Sequence, residues 1–109
     1  MLKLNPAATF SVSVPLTVPG SSEPAVIDIT FRHKGREAFK AWWESIPEKS
    51  DAAILAGIIA DWSGPFDDSG NPVIYSESAL AQLLDAYPAA SQELLVAYRR
   101  ELFESRVKN

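Results

Sequence analysis

The chain has one histidine, the side chain best suited to acid–base catalysis near neutral pH. His33 lies among Arg32, Lys34 and Arg36, in a positively charged stretch of the chain. No serine or carboxylate is adjacent in sequence. Because a catalytic triad is defined by geometry, distant residues could complete one, but the local sequence favours a surface histidine. With no cysteine in the chain, a thiolate nucleophile and a disulfide are excluded.

The run Asp67 to Asn71, DDSGN, has the composition of a calcium loop. When Gly70 is aligned with the glycine of an EF-hand, Pro65 falls at the first ligand position. Ser76 then falls where the loop needs a bidentate glutamate. The spacing therefore favours an Asp/Ser/Gly turn, and we predict no metal and no other cofactor.

Basic residues close to tryptophans suggest a nucleic-acid surface, since Arg36 and Lys40 precede Trp42 and Trp43. Residues 41–98, however, carry nine acidic residues and one lysine. Such a segment repels phosphate, so we predict no nucleic-acid partner. Two interpretations of the acidic segment stay open: a solvated surface that keeps the protein soluble, or a site for a basic segment of a partner.

Trp42 and Trp43 are the most informative aromatic pair. Neighbouring residues of a helix point about 100° apart, so the two rings should differ in burial. One interpretation places one ring in the core and the other at its rim. In the second interpretation, the exposed ring is an anchor for a partner protein.

Length and composition set the frame for these residues. A chain of 109 residues with 47% hydrophobic and 22% charged residues is predicted to form a single domain spanning 1–109. Its longest apolar run, Ala52 to Ala60, is too short to span a bilayer, and the N-terminus has no apolar signal region. We therefore predict no membrane insertion and a cytoplasmic protein.

The N-terminal part alternates as strands do. Apolar residues occupy every second position from Phe10 to Val18 and again from Ile27 to Phe31, and the Pro/Gly/Ser-rich stretch 19–24 separates the two runs. The pattern predicts an antiparallel β-hairpin over about 8–33. Pro15, which has no backbone N–H, points to an edge strand.

Helical spacing begins after Gly35. Four amphipathic helices are predicted near 36–45, 51–62, 77–87 and 89–104, with Ser50 or Asp51 capping the second and Ser76 the third. The helical part thus covers 35–104, and residues 105–109 are predicted to fray. The expected fold class is α+β, with the hairpin packed on the helices.

The second half of the chain resembles the tail assembly chaperones of long-tailed bacteriophages and their prophages. The resemblance lies in a tryptophan before an acidic glycine-containing loop, a serine-capped A-L-x-x-L-L helix, and a Tyr-Pro that breaks this helix before the last one. The matching residues are Trp62, Asp67, Asp68, Gly70, Ser76, Leu80, Leu83, Leu84, Tyr87 and Pro88.

This resemblance implies a non-enzymatic protein that binds the tape measure protein, keeps it soluble and helps recruit tail tube subunits. It would act in the bacterial host cytoplasm and be absent from the mature virion. The alternative is another small phage-encoded adaptor, or an inhibitor of a host protein.

For binding, we predict an apolar groove rimmed by acids of the second to fourth helices, which takes amphipathic helical segments of the client. Self-association is also permitted by exposed apolar faces. The candidate contact residues are Trp42, Trp43, Phe66, Tyr75, Tyr98, Asp67 and Asp68.

Overall fold

A computed structural model describes residues 1–104. Its strands are β1 (Thr9–Leu16), β2 (Ala25–Arg32) and β3 (Ile59–Ser63), and its helices are α1 (Arg36–Ser45), α2 (Asp51–Ala56), α3 (Glu77–Ala86) and α4 (Ala90–Glu104). A short 3₁₀ turn, Ile46–Glu48, follows α1. The predicted α+β class is confirmed. The predicted fraying of 105–109 lies outside the described residues.

The predicted hairpin is present as β1 and β2, which pair antiparallel from Thr9 opposite Arg32 to Leu16 opposite Ala25. Alternate residues of both strands face the core, and Ile29 and Phe31 are fully buried. The sheet order β1-β2-β3 places β1 at an edge, as predicted from Pro15. The N–H of His33 donates to the carbonyl of Ala8, and in an antiparallel pair every second residue of β1 forms such bonds with β2. Counted in twos from Ala8, Pro15 falls between the bonding residues, so its nitrogen faces the free edge, where the missing N–H costs no ladder hydrogen bond.

The predicted second helix is wrong in its second half. Helix α2 ends at Ala56, and Ile59–Ser63 forms β3, antiparallel to β2. Gly57 follows the helix, and the β-branched Ile58 and Ile59 are well suited to extended backbone. Pairing with β3 also gives hydrogen-bond partners to backbone groups on the side of β2 that faces away from β1. For example, the N–H of Arg32 donates to the carbonyl of Ile58.

Gly64 lets the chain leave β3 close to β2. Its φ is +128°, and a Cβ atom there would lie 2.9 Å from Cγ2 of Ile27. A larger residue would therefore meet both an unfavourable backbone conformation and a steric clash.

The other three helices begin and end close to the predicted positions, with boundaries at 36–45, 77–86 and 90–104. Ser50 caps α2 by accepting a hydrogen bond from the N–H of Ala53, and Ser76 caps α3 by accepting one from Ala79. Helices α2, α3 and α4 contact one another, and α4 also packs on β1.

The core lies between the inner face of the sheet and the helices. Leu80, Leu94 and Tyr98 are fully buried there beside the sheet residues. No helix within residues 1–104 has both the length and the apolar character needed to cross a membrane.

Candidate partner-binding surfaces

The two adjacent tryptophans have different environments. Trp42 is 6% exposed, and its indole N–H donates to the carbonyl of Ile54 over 2.9 Å. Trp43 is 41% exposed, and the guanidinium carbon of Arg99 lies 4.8 Å from its ring centroid. The predicted division into a core ring and a rim ring is confirmed. Only Trp43 has substantial surface for a partner.

Tyr98 lies in the core and exposes no surface. Its ring centroid is 5.1 Å from that of Phe31 and 5.8 Å from that of Trp42. Its hydroxyl donates to the carbonyl of Arg32 over 2.9 Å. Burial raises the pKa of Tyr98 to about 12. Tyr98 was predicted as a contact residue, and in the structure its side chain belongs to the core.

Tyr75 is half-buried, with its ring edge-on to Trp62 at 5.1 Å between centroids. Burial raises its pKa, with a smaller contribution from the charge of Glu77, while the charge of Arg32 acts in the opposite direction. Because the ring is half-buried and packs against Trp62, Tyr75 offers only part of its surface to a partner.

Phe66 and Asp67 lie in a small hairpin-like loop, residues 64–73. Phe66 forms a β-bridge with Pro72, and the N–H of Val73 donates to the carbonyl of Pro65. One carboxylate oxygen of Asp67 accepts hydrogen bonds from the N–H groups of Ser69 and Asn71, each at 2.9 Å. The predicted Asp/Ser/Gly turn is therefore confirmed, and the Asp67 side chain holds it together.

An open groove of about 470 Å³ separates this loop from α3. We call it the loop groove. Trp62, Val73, Leu83 and Tyr87 give it apolar walls, and its rim includes Phe66, Asp67, Asp68 and Gln82. The indole N–H of Trp62 donates to the carbonyl of Val73 over 2.8 Å, which fixes the loop to β3. Phe66 is 64% exposed, so the groove has an apolar side chain at an acidic rim.

A second exposed apolar surface lies where α1 meets the end of α4. Phe39 stacks on Trp43 at 5.9 Å and meets the ring of Phe103 edge-on at 4.8 Å. Phe103 is 55% exposed, and Val96, two helical turns earlier, is 40% exposed. Neither Val96 nor Phe103 is among the contact residues predicted from the sequence. Their spacing of seven residues was the available signal, but the arginines between them make that face of α4 look polar.

The predicted contact residues that have exposed surface thus fall into two groups instead of one groove. Phe66, Asp67 and Asp68 belong to the loop after β3, and Tyr75 lies between that loop and α3. Trp43 belongs to α1 and packs beside α4.

His33 is exposed. Within residues 1–104, no group of three or more His, Cys, Asp or Glu side chains is placed to hold a metal ion.

A family model described as phage tail assembly chaperone matches residues 1–109, the whole chain. Comparisons with curated proteins and with solved structures find no match. The family match includes the N-terminal hairpin as well as the loop and final helices that carry the recognisable sequence motifs.

Proposed function

Because the chain belongs to the phage tail assembly chaperone family, we propose that it binds the tape measure protein of its phage, keeps it soluble and helps recruit tail tube subunits. The match of the family model to all 109 residues is the observation that carries this proposal. The role requires protein binding and no catalysis. It belongs in the host cytoplasm during tail assembly, and the chaperone leaves before the virion is complete.

We place the tape measure site in the loop groove. Apolar walls can take the apolar face of an amphipathic helix, and Asp67 and Asp68 at the rim favour lysine or arginine beside that face. Phe66 is the anchor, since an exposed aromatic side chain at the edge of a groove is a common centre of binding energy. Asp68 supplies negative charge, and the side-chain hydrogen bonds that hold the loop are accepted by Asp67.

Co-expression with the tape measure protein of the same genome tests the proposal. We expect the wild-type chaperone to keep the tape measure protein in the soluble fraction and to co-elute with it in size-exclusion chromatography. Phe66→Ala should reduce the soluble complex. Val26→Ala is the matched control, because Val26 is 60% exposed on β2, outside the loop groove.

The two parts of the proposal fail differently. If the wild-type chain elutes alone beside an insoluble tape measure protein, tape measure binding is wrong and an adaptor for another protein is favoured. If the complex forms equally well with folded Phe66→Ala, tape measure binding stands and the loop groove is the wrong site.

A further inference from the structure

The outward face of α4 carries a stripe in which apolar and basic residues share one line. Gln92, Val96, Arg99 and Phe103 follow the spacing of a heptad seam, and Arg100 lies beside them. All five side chains are exposed. We call this surface the α4 stripe.

Further apolar surface adjoins the stripe in two places. Alongside it, Val96 and Ala97 line a cleft of about 230 Å³ with Val14 and Pro15 of β1. At its C-terminal end, Phe103 and Phe39 line an open pocket of about 570 Å³ on α1. Trp43 stacks on Phe39 beside this pocket. From Gln92 to Phe103 the stripe follows about three turns of α4, so it can face a partner helix of similar length.

The charged residues along this surface are mainly basic. Arg36 and Lys40 line the α1 pocket, Arg99 lies over Trp43, and Arg100 lines the β1 cleft. Of the two acids that line these spaces, Glu37 is exposed in the α1 pocket. The other, Glu93, keeps its negative charge while it accepts hydrogen bonds from the N–H and the hydroxyl of Thr17, so these four basic residues stand against two acidic ones. The stripe therefore has the opposite charge to the rim of the loop groove.

This charge argues against pairing between two α4 stripes. In an antiparallel pair with Val96 of each copy near Phe103 of the other, Arg99 would lie opposite Arg100 at the centre. Like charges directly opposed at an interface are unfavourable. A segment with carboxylates at the same positions would instead pair with both arginines while its apolar residues cover Val96 and Phe103.

We propose that the α4 stripe is a second docking surface, which binds an amphipathic helix of another protein carrying apolar residues two turns apart and glutamate or aspartate between them. The surface is built by different residues from the loop groove and does not depend on tape measure binding. A chaperone with two docking surfaces of opposite charge could hold two different segments at once.

Two designed peptides provide the test. Each has about three heptads with leucines two turns apart, and they differ only in carrying glutamate or lysine at the positions between the leucines. Titration into the ¹⁵N-labelled full chain, followed by ¹H–¹⁵N NMR, gives both the affinity and the location. We expect the glutamate peptide to bind about five-fold more tightly than the lysine peptide and to shift signals of α4 and of Trp43.

Charge reversal makes the test reciprocal. The double variant R99E/R100E should prefer the lysine peptide, whereas Lys49→Glu, which reverses an exposed charge outside the stripe, should keep the wild-type preference. Val96→Ala, a truncation at an exposed position, should weaken the binding of both peptides without unfolding the chain. Circular dichroism and thermal unfolding check that each variant is folded.

Three results would overturn the proposal. One is the absence of a charge preference in the wild type or of its reversal in folded R99E/R100E. Another is a set of shifts confined to the loop groove. The last is concentration-dependent dimerisation through α4 without peptide, measured by sedimentation velocity, which would assign the stripe to a second copy of the chain.

Discussion

Tyr98 shows how one polar atom links the helices to the sheet. Its hydroxyl donates to the carbonyl of Arg32 from a fully buried position. We expect Tyr98→Phe to lower the free energy of unfolding by about 1 kcal/mol, because the carbonyl loses its buried donor. Urea unfolding measures the change. Tyr87→Phe is the control, since the Tyr87 ring is partly buried and its hydroxyl makes no hydrogen bond within residues 1–104. An equal loss of unfolding free energy in Tyr87→Phe would contradict the explanation.

The same residue predicts a loss of stability at high pH. Burial raises the pKa of Tyr98 from 10.0 to about 12, so the folded chain holds the hydroxyl proton where the unfolded chain releases it. Stability should therefore fall as the pH rises from 10 to about 12. Urea unfolding across this range should give a shallower decline for Tyr98→Phe than for the wild type. Parallel curves would show that Tyr98 does not cause the decline.

Asp67 and Asp68 are neighbours with different predicted roles. The Asp67 carboxylate accepts two backbone hydrogen bonds of the loop, from Ser69 and Asn71. We expect Asp67→Ala to speed hydrogen exchange at both N–H groups by about ten-fold, since each loses its acceptor. Asp68→Ala should leave their exchange near the wild-type rate. Equal effects of the two substitutions would show that the Asp67 bonds do not hold the loop.

At the scale of elements, Glu93 fastens the first turn of α4 to the end of β1. Its carboxylate accepts from the N–H of Thr17 over 2.9 Å and from the hydroxyl over 2.5 Å. We expect Glu93→Ala to lower the free energy of unfolding by about 1 kcal/mol, a modest value because the contact is exposed. Glu93→Gln, which keeps one acceptor oxygen, should lose less. Thermal unfolding of the two variants beside Gln92→Ala, an exposed neighbour, tests whether the loss is specific to this contact.

Element boundaries also show where local patterns suffice. Strict alternation located β1 and β2, and the cap residues Ser50 and Ser76 located the starts of α2 and α3. The segment after Ala56 was different, because an apolar run that contains Ile58, Ile59 and Trp62 fits either a helix or a strand. Its pairing with β2, more than 25 residues earlier in the chain, makes it a strand.

At the scale of the whole molecule, the separation of charge predicts how binding responds to salt. If a basic segment of the tape measure protein occupies the loop groove, added NaCl should weaken the complex by screening the acidic rim. Asp68→Asn should weaken binding at low salt and reduce this dependence, while Phe66→Ala should weaken binding with the salt dependence unchanged. Affinities measured at about 50 and 500 mM NaCl make the comparison. An affinity that is independent of salt in the wild type would show that the acidic rim does not contribute to binding.

The arrangement of the surfaces likewise depends on the whole fold. The predicted binding site was one apolar groove, and Trp43, Phe66, Tyr75 and Tyr98 were the aromatic residues among its candidate contacts besides Trp42. In the structure Tyr98 is buried, Tyr75 packs on Trp62, and the other two lie on surfaces built by different elements. No periodicity along the chain contains this information, since it depends on which helix packs beside which.

The sequence by itself determined the α+β class, the hairpin, three of the four helices, the turn at Asp67 and the unequal burial of Trp42 and Trp43. Each of these follows from contacts between residues close in sequence, or from a repeat that separates a buried face from an exposed one. The tertiary structure decided that Ile59–Ser63 is a strand, that Tyr98 is internal, and that Val96 and Phe103 of α4 form one exposed surface with Trp43. These features depend on contacts between distant residues, because burial is complete only when another element covers a side chain.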